Sequence, residues 1–285
     1  MSRPFAEVIG SPVRQSRSPA IHSFWLNRAS IDAEYSATEV TRDELADYLA
    51  SRRSDMDWRG CNVTMPLKET VLSLCDRLDP VAERIGAVNT IIRETDGTLT
   101  GYNTDATGFL EPIAADLRQP HLFRMARILG TGGAARAIVT ALADRNFTLV
   151  LAGRQPSKAQ AILDELAQGG EHHAACLSHF ATGTDFAFDD RSQLLDLVVN
   201  ASPLGMTGQP PLAFDLSHAP PGSIIYDIVT SPPLTPLLEQ GAAAGFRTVD
   251  GLAMLIGQAA AAFALFFGQA PDRSGDADLR RKLTA

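Results

Sequence analysis

The sequence predicts an α/β protein of two domains, and three observations carry that prediction. Short apolar strands alternate with amphipathic helical stretches through the first third of the chain. A second strand–helix alternation starts near residue 125 with a glycine-rich turn. A uniformly apolar helical stretch, Leu252–Phe267, then follows the last strand signal. Alternation of this kind builds a layered fold with a mainly parallel sheet. At 285 residues the chain is long enough for each domain to bury its own core.

Taken in order, Phe5–Gly10 reads as a strand that ends in a Gly-Ser-Pro turn. A helix follows over Ala20–Ala29, with Ser18 as its cap and Pro19 in its first turn. Tyr35–Val40 is a strand, Asp43–Ser51 a helix, Gly60–Thr64 a strand and Val81–Arg84 a short helix. Val88–Arg93 pairs with Leu99–Tyr102 across a turn at Asp96-Gly97. Strands at Ala126–Leu129, Leu197–Asn200 and Ser223–Ile228, and a helix over Pro236–Ala244, make up the second pattern. Residues 181–190 read as a loop, and the tail beyond Phe267 as a surface segment ending in a short helix. The expected plan is a first domain of residues 1–104 completed by 252–285, with 105–251 inserted as the second domain.

The glycine turn runs Gly130, Thr131, Gly132, Gly133, Ala134, directly after an apolar strand and at the head of an amphipathic helix. Such a turn lets a pyrophosphate approach bare backbone, and the helix N-terminus offers it unpaired N–H groups. In that setting the turn is the fingerprint of a Rossmann-type dinucleotide domain, although a tight turn without a ligand has the same glycines. An NAD binder places an acid at the end of the next strand, to bond the ribose 2′-hydroxyl. Here the sequence is Gly153-Arg154-Gln155-Pro156-Ser157-Lys158, with two cations and no acid. A guanidinium and an ammonium suit a 2′-phosphate, so the cofactor reads as NADP; the alternative is two solvated cations opening a helix.

Composition excludes several classes. A net charge of −8 with both signs mixed along the chain disfavours a nucleic-acid partner. Three cysteines at unrelated spacings imply neither a disulfide framework nor a redox motif, and suit the cytoplasm. The N-terminus lacks the apolar core of a signal peptide. Leu252–Phe267 is shorter than the roughly 20 residues of a membrane span and carries Gln258, so it reads as a buried helix. His172, Cys176 and His179 imitate a metal site at helical spacing, but no second ligand pair accompanies them. A polar helix edge or loop is the plainer reading, and no metal is expected.

Four polar signatures remain in the first domain. They are SPVRQSRSP (Ser11–Pro19), NVTMPLK (Asn62–Lys68), GAVNT (Gly86–Thr90) and GYNTD (Gly101–Asp105). Each sets hydroxyls, amides, a carboxylate or an amine at a strand end, where an open α/β sheet keeps its ligand crevice. Ordinary turn chemistry accounts for any one of them, and Lys68 alone reads as a solvated lysine. In this order, ahead of the glycine turn, NASPLGM (Asn200–Met206), TPLL (Thr235–Leu238) and DGLAMLIGQA (Asp250–Ala259), they resemble the shikimate dehydrogenase family. The resemblance runs from about Val8 to Asp272.

That resemblance implies NADP-dependent interconversion of 3-dehydroshikimate and shikimate, on the route to chorismate and the aromatic amino acids. It makes Lys68 and Asp105 the catalytic pair. Ser16 and Ser18 would hold the substrate carboxylate; Asn62, Thr64, Asn89, Asp105 and Gln258 would meet the ring hydroxyls or nearby atoms. The glycine turn, Arg154 and Lys158 would hold NADP, with Ile228 and Gly251 near the nicotinamide. It also implies a cytoplasmic monomer or homodimer acting on a small molecule. The chemistry is coherent, because hydride delivered to a carbonyl carbon builds charge on oxygen that a nearby acid must neutralise.

Two departures from the family pattern are visible. Thr230 stands where a tyrosine usually reaches the substrate, and Gly153-Arg154-Gln155 replaces a usual Asn-Arg-Thr. They leave open a paralogue acting on quinate or a related acid, with NAD or NADP. An alternative of another class is a non-catalytic ligand sensor on the same scaffold, which would have no need of both Lys68 and Asp105.

Overall fold

The chain divides into two units, Met1–Gly108 with Ile256–Ala285, and Phe109–Leu255. Asp105 therefore belongs to the first unit. The computed structural model describes residues 3–186, 188 and 193–284, so part of the loop expected over 181–190 lies outside the described residues.

The first unit begins with β1 (Phe5–Gly10), α1 (Ser18–Ala29), β2 (Glu34–Glu39), α2 (Leu45–Arg53) and β3 (Trp58–Val63). It continues with β4 (Arg77–Leu78), α3 (Pro80–Ile85), β5 (Thr90–Arg93), β6 (Leu99–Tyr102) and the start of α4 (Asp105–Leu110). The sheet order is β2-β1-β3-β5-β6-β4. β1 pairs parallel with β2 and β3, while β5 runs antiparallel to β3 and β6. The hairpin turns at Gly97, whose positive φ of 85° suits glycine. One sheet face closes over Ile9, Leu45, Trp58, Val63, Leu67 and Ile91.

Helix α1 starts at Ser18, which places its N-cap one residue earlier than expected. Arg17 takes the N-cap position with no side-chain cap bond, and Pro19 sits in the first turn. The Ser18 hydroxyl therefore does not cap the helix. Ile21, His22, Trp25 and Leu26 form its buried stripe.

The second unit adds α5 (Ala114–Leu117), β7 (Phe123–Leu129), α6 (Gly133–Ala143), β8 (Thr148–Gly153), α7 (Pro156–Leu166) and β9 (His172–Cys176). β10 (Leu194–Asn200), β11 (Ile224–Asp227), α8 (Pro236–Ala243) and β12 (Arg247–Val249) complete its sheet, in the order β12-β11-β10-β7-β8-β9. Every pairing is parallel and the order is that of a doubly wound dinucleotide fold. Ile128, Leu149, Leu151 and Val199 pack under α6 and α7, and Leu129, Val198 and Ile225 fill the opposite face. Burial on both faces is why these strands read as continuous apolar runs.

One segment differs in kind from the sequence reading. Residues expected as a polar helix edge or loop form the edge strand β9. A strand has no i, i+4, i+7 face, and the His172 Nδ1 accepts a hydrogen bond from the Leu149 amide at 3.1 Å. Among the described residues no group of three or more His, Cys, Asp or Glu is placed to hold a metal.

Two helices end the chain, α9 (Gly251–Phe267) and α10 (Asp276–Thr284). In the first unit Ala259, Ala262 and Phe263 of α9 are fully buried, as a helix apolar all round requires. Among the described residues no helix is long and apolar enough to cross a membrane. The tail is more than a surface segment: Leu279 and Leu283 of α10 are buried, and Asp276 accepts a hydrogen bond from the Trp25 indole.

Candidate active site

In the first unit the polar signatures converge at the ends of the central strands. Asn62 lies on β3 and Thr64 just beyond it, with the Thr64 amide donating to the Ile9 carbonyl at 2.9 Å. The chain then turns through Met65-Pro66, where the Leu67 amide donates to the Thr64 carbonyl at 3.0 Å, and Lys68 follows one residue later. Its ammonium donates to Asp105 Oδ2 at 2.5 Å, with side-chain exposures of 19% and 6%. A solvated surface lysine is thereby replaced by a largely buried ion pair. Asp105 opens α4, and its other oxygen accepts from the Asn89 amide at 2.9 Å.

Asn89 and Asn62 are held from several sides. Asn89 Oδ1 accepts from the Thr104 backbone amide at 2.8 Å. Gln258 of α9 supplies a carbonyl that accepts from the Thr104 hydroxyl at 3.3 Å and lies 3.5 Å from the Asn89 amide nitrogen. Asn62 donates to Thr90 Oγ1 at 2.9 Å and accepts from the Tyr35 phenol at 2.6 Å. Ser18 is buried at the start of α1. Ser16 lies two residues earlier, its hydroxyl 3.3 Å from the Ser18 amide. The structure thus brings Asn62, Lys68, Asn89, Asp105 and Gln258 into one buried polar cluster.

Behind the cluster stands an apolar wall. The Tyr35 ring stacks on His22 at 3.9 Å with an interplanar angle of 2°. His22 is surrounded by Trp25, Phe263 and Phe266 as well, and desolvation lowers its pKa to about 3. Burial, helped by the nearby Cys61 and Glu7, pushes the Tyr35 phenol well above its usual range. Both groups are neutral across the physiological range.

The second unit carries the cofactor candidates. Gly130 has a φ of 132° and its amide donates to Ala152 at 2.8 Å. A Cβ there would sit 2.6 Å from the Ala201 carbonyl oxygen, so the fold itself demands this glycine. Gly132 is different. Its φ of −94° suits any residue, and a Cβ would meet nothing within 4 Å. The open space lies at the N-cap of α6, where Gly133 and Ala134 begin the helix and amides are free to meet an anion. Arg154 and Lys158 are exposed, after β8 and in the first turns of α7, and neither has an ion-pair partner among the described residues.

Ile228 and Gly251 also come together. A Cβ on Gly251 would lie 2.4 Å from the Ile228 carbonyl oxygen. Thr230 is half-buried in the same loop. That loop is pinned by Asp227, which accepts from the Val229 amide, Asn200 and Thr235 at 3.0, 3.0 and 2.7 Å. Burial raises the Asp227 carboxyl, and these three donors offset part of the rise.

Tyr35, Thr90, Thr104 and Asp227 are the polar residues that sequence reasoning did not single out. Thr90 and Thr104 fall inside the quoted signatures, so their neighbours signalled them. Tyr35 reads as a strand aromatic, and Asp227 as a strand end.

Family models described as the shikimate dehydrogenase substrate binding domain and the shikimate 5′-dehydrogenase C-terminal domain match residues 8–91 and 251–275. A shikimate dehydrogenase (NADP(+)) of Sphingopyxis alaskensis is 46% identical over 284 residues, covering 99% of this chain and 97% of that relative. The crystal structure of shikimate 5-dehydrogenase from Thermus thermophilus, in complex with NADP(H) and shikimate, is 34% identical. It has a TM-score of 0.81 and covers 98% of this chain and 99% of that one. Quinate dehydrogenase from Corynebacterium glutamicum in complex with NAD is 31% identical, with a TM-score of 0.83 and 98% of both chains covered. A likeness that holds over nearly the whole length, on a chain that keeps a buried Lys–Asp pair and a glycine turn with an open N-cap, has one meaning: the chain belongs to the shikimate dehydrogenase family.

Proposed function

We propose that this chain is an NADP-dependent shikimate dehydrogenase, an oxidoreductase that reversibly reduces the 3-keto group of dehydroshikimate to a secondary alcohol. The buried Lys68–Asp105 pair carries the reading, because a protein that only binds its ligand has no use for a proton donor beside a carboxylate. NADPH, when bound, supplies the hydride. The open N-cap at Gly132 and the unpaired Arg154 and Lys158 fit its pyrophosphate and 2′-phosphate.

The remaining steps belong to the chain's own residues. As hydride reaches the carbonyl carbon, the Lys68 ammonium delivers a proton to the oxygen, and the uptake of one proton balances the reduction. Asp105 holds the Lys68 ammonium in place through their ion pair. Ser16 and Ser18 take the substrate carboxylate. Asn62, Thr64, Asn89 and Gln258 bind the ring oxygens, so that an analogue lacking one hydroxyl leaves a buried amide unpaired and is rejected. Thr230 offers a shorter hydroxyl where the family pattern has a phenol, and Ile228 and Gly251 would border the nicotinamide when the cofactor is bound.

Spectrophotometric assay of cofactor reduction with shikimate and with quinate, each with NADP+ and NAD+, tests the proposal. Shikimate with NADP+ should give the highest kcat/KM. A preference for quinate would overturn the substrate, and a preference for NAD+ would overturn the role of Arg154 and Lys158.

A further inference from the structure

The hydrogen bonds that hold the first unit's polar cluster run in one direction, and the direction can be worked out. The Thr104 backbone N–H can only donate, so the Asn89 atom that it meets at 2.8 Å is the amide oxygen. The Asn89 nitrogen then faces Asp105, at 2.9 Å. Thr90 Oγ1 lies 3.0 Å from that same Asn89 oxygen and donates its one proton there. It is left as an acceptor, and Asn62 fills it with an N–H at 2.9 Å. The second Asn62 N–H points to the Asn89 backbone carbonyl at 3.3 Å, a group that can only accept. Asn62 therefore turns its oxygen to Tyr35, whose phenol donates at 2.6 Å. Every amide orientation follows from one backbone N–H and one backbone carbonyl.

We infer that Tyr35 is a positioning residue for the substrate site: with Thr90 it locks the Asn62 amide so that one oxygen lone pair, and no N–H, is presented to the ligand. The statement rests on the substrate reading above. Both Asn62 protons are spent inside the protein, and Tyr35 occupies one of the two acceptor positions on its oxygen. What remains selects a ligand hydroxyl acting as donor. The same chain of donors runs from Tyr35 through Asn62, Thr90 and Asn89 to Asp105, so each link turns its donor toward the next acceptor. The Tyr35 ring is held for this task by the His22 face, parallel within 2°.

Tyr35→Phe keeps the ring and its stack and removes only the donor. With a net hydrogen bond at stake, KM for shikimate should rise about 3- to 10-fold, while KM for NADP+ stays as in wild type. Combined with Asn62→Ala, Tyr35→Phe should add no further rise, because it acts through that amide. Shikimate analogues lacking single ring hydroxyls give the second readout. Tyr35→Phe should lose discrimination against one of them and keep it against the others. Unchanged KM for shikimate in a folded Tyr35→Phe protein, or additivity with Asn62→Ala, overturns the proposal. If Tyr35→Phe does not fold, Thr90→Val loosens the same amide from its other end, and an unchanged KM there overturns it equally. Wild-type protein inert toward shikimate would overturn the functional reading and this proposal with it. Active wild type with a silent Tyr35→Phe would overturn the proposal alone.

Discussion

Two glycines of one turn should fail in opposite ways when each is changed to alanine. At Gly130 a methyl would lie 2.6 Å from the Ala201 carbonyl oxygen, on a backbone with φ of 132°. Strain at such a φ and the overlap with fixed backbone together cost about 2–5 kcal/mol. For a unit of this size that lowers the thermal midpoint by roughly 5–15 °C. At Gly132 a methyl meets nothing within 4 Å and φ is ordinary, so the fold loses at most about 1 kcal/mol from a poorer helix cap. The methyl instead occupies the approach to the α6 amides. Losing one charge-assisted hydrogen bond to a pyrophosphate raises KM for NADP+ by about 10- to 150-fold. Thermal melts of cofactor-free protein, followed by KM for NADP+ and for shikimate, separate the two outcomes. A Gly132→Ala protein with wild-type KM for NADP+, or one that melts as low as Gly130→Ala, refutes the reasoning.

Lys68→Ala should lower kcat by about 10²- to 10⁴-fold with KM for NADP+ unchanged, and an unchanged kcat would remove Lys68 from the chemistry. Arg154→Ala should raise KM for NADP+ by about tenfold or more while leaving KM for NAD+ alone; equal effects on both would place Arg154 away from the 2′-phosphate. His22 is neutral in the folded state with a pKa of about 3 and faces no charged ring partner, whereas the unfolded chain protonates it below about pH 6.5. Its contribution to stability is complete above that pH and is lost as pH falls toward 3. Urea titrations should therefore show about 2 kcal/mol less stability near pH 5 than near pH 7.5, a difference that His22→Phe abolishes.

Much of this fold is local in origin, and local features are what a sequence displays. The strand at Phe5–Gly10, the Asp96-Gly97 hairpin and the glycine turn each carry their signal within a few residues. The site signatures are legible for the same reason, since Asn62, Lys68, Asn89 and Asp105 sit at strand ends and turns. Tyr35 is different: its donor role exists only because β2 and β3 flank β1 and bring residues 27 apart in sequence into contact. The segment His172–Cys176 misleads because its histidines and cysteine fall at helical spacing, while parallel pairing with β8 makes it a strand. Helix α10 looks like tail because two leucines are its buried anchors in a charged stretch. Ser18 looks like a cap because serine before proline is the usual start of a helix, yet the helix begins one residue sooner and that hydroxyl makes no cap bond.

The two departures from the family pattern carry different physical weight. Gly153, in place of the usual asparagine, is a packing matter: a Cβ there would lie 2.8 Å from Thr131 Cγ2 in the glycine turn. The bulk that an asparagine would place at the end of β8 is supplied from β7's turn by Thr131, whose hydroxyl oxygen lies 3.5 Å from the same point. A polar atom is thereby kept at the end of β8, beside the charge of Arg154. Thr230 lies in a loop that Asp227 fixes through Val229, Asn200 and Thr235. A shorter side chain on a pinned loop cannot reach as far as a phenol. The shortfall is one of side-chain length alone, because Asp227 holds the Val229 backbone next to Thr230.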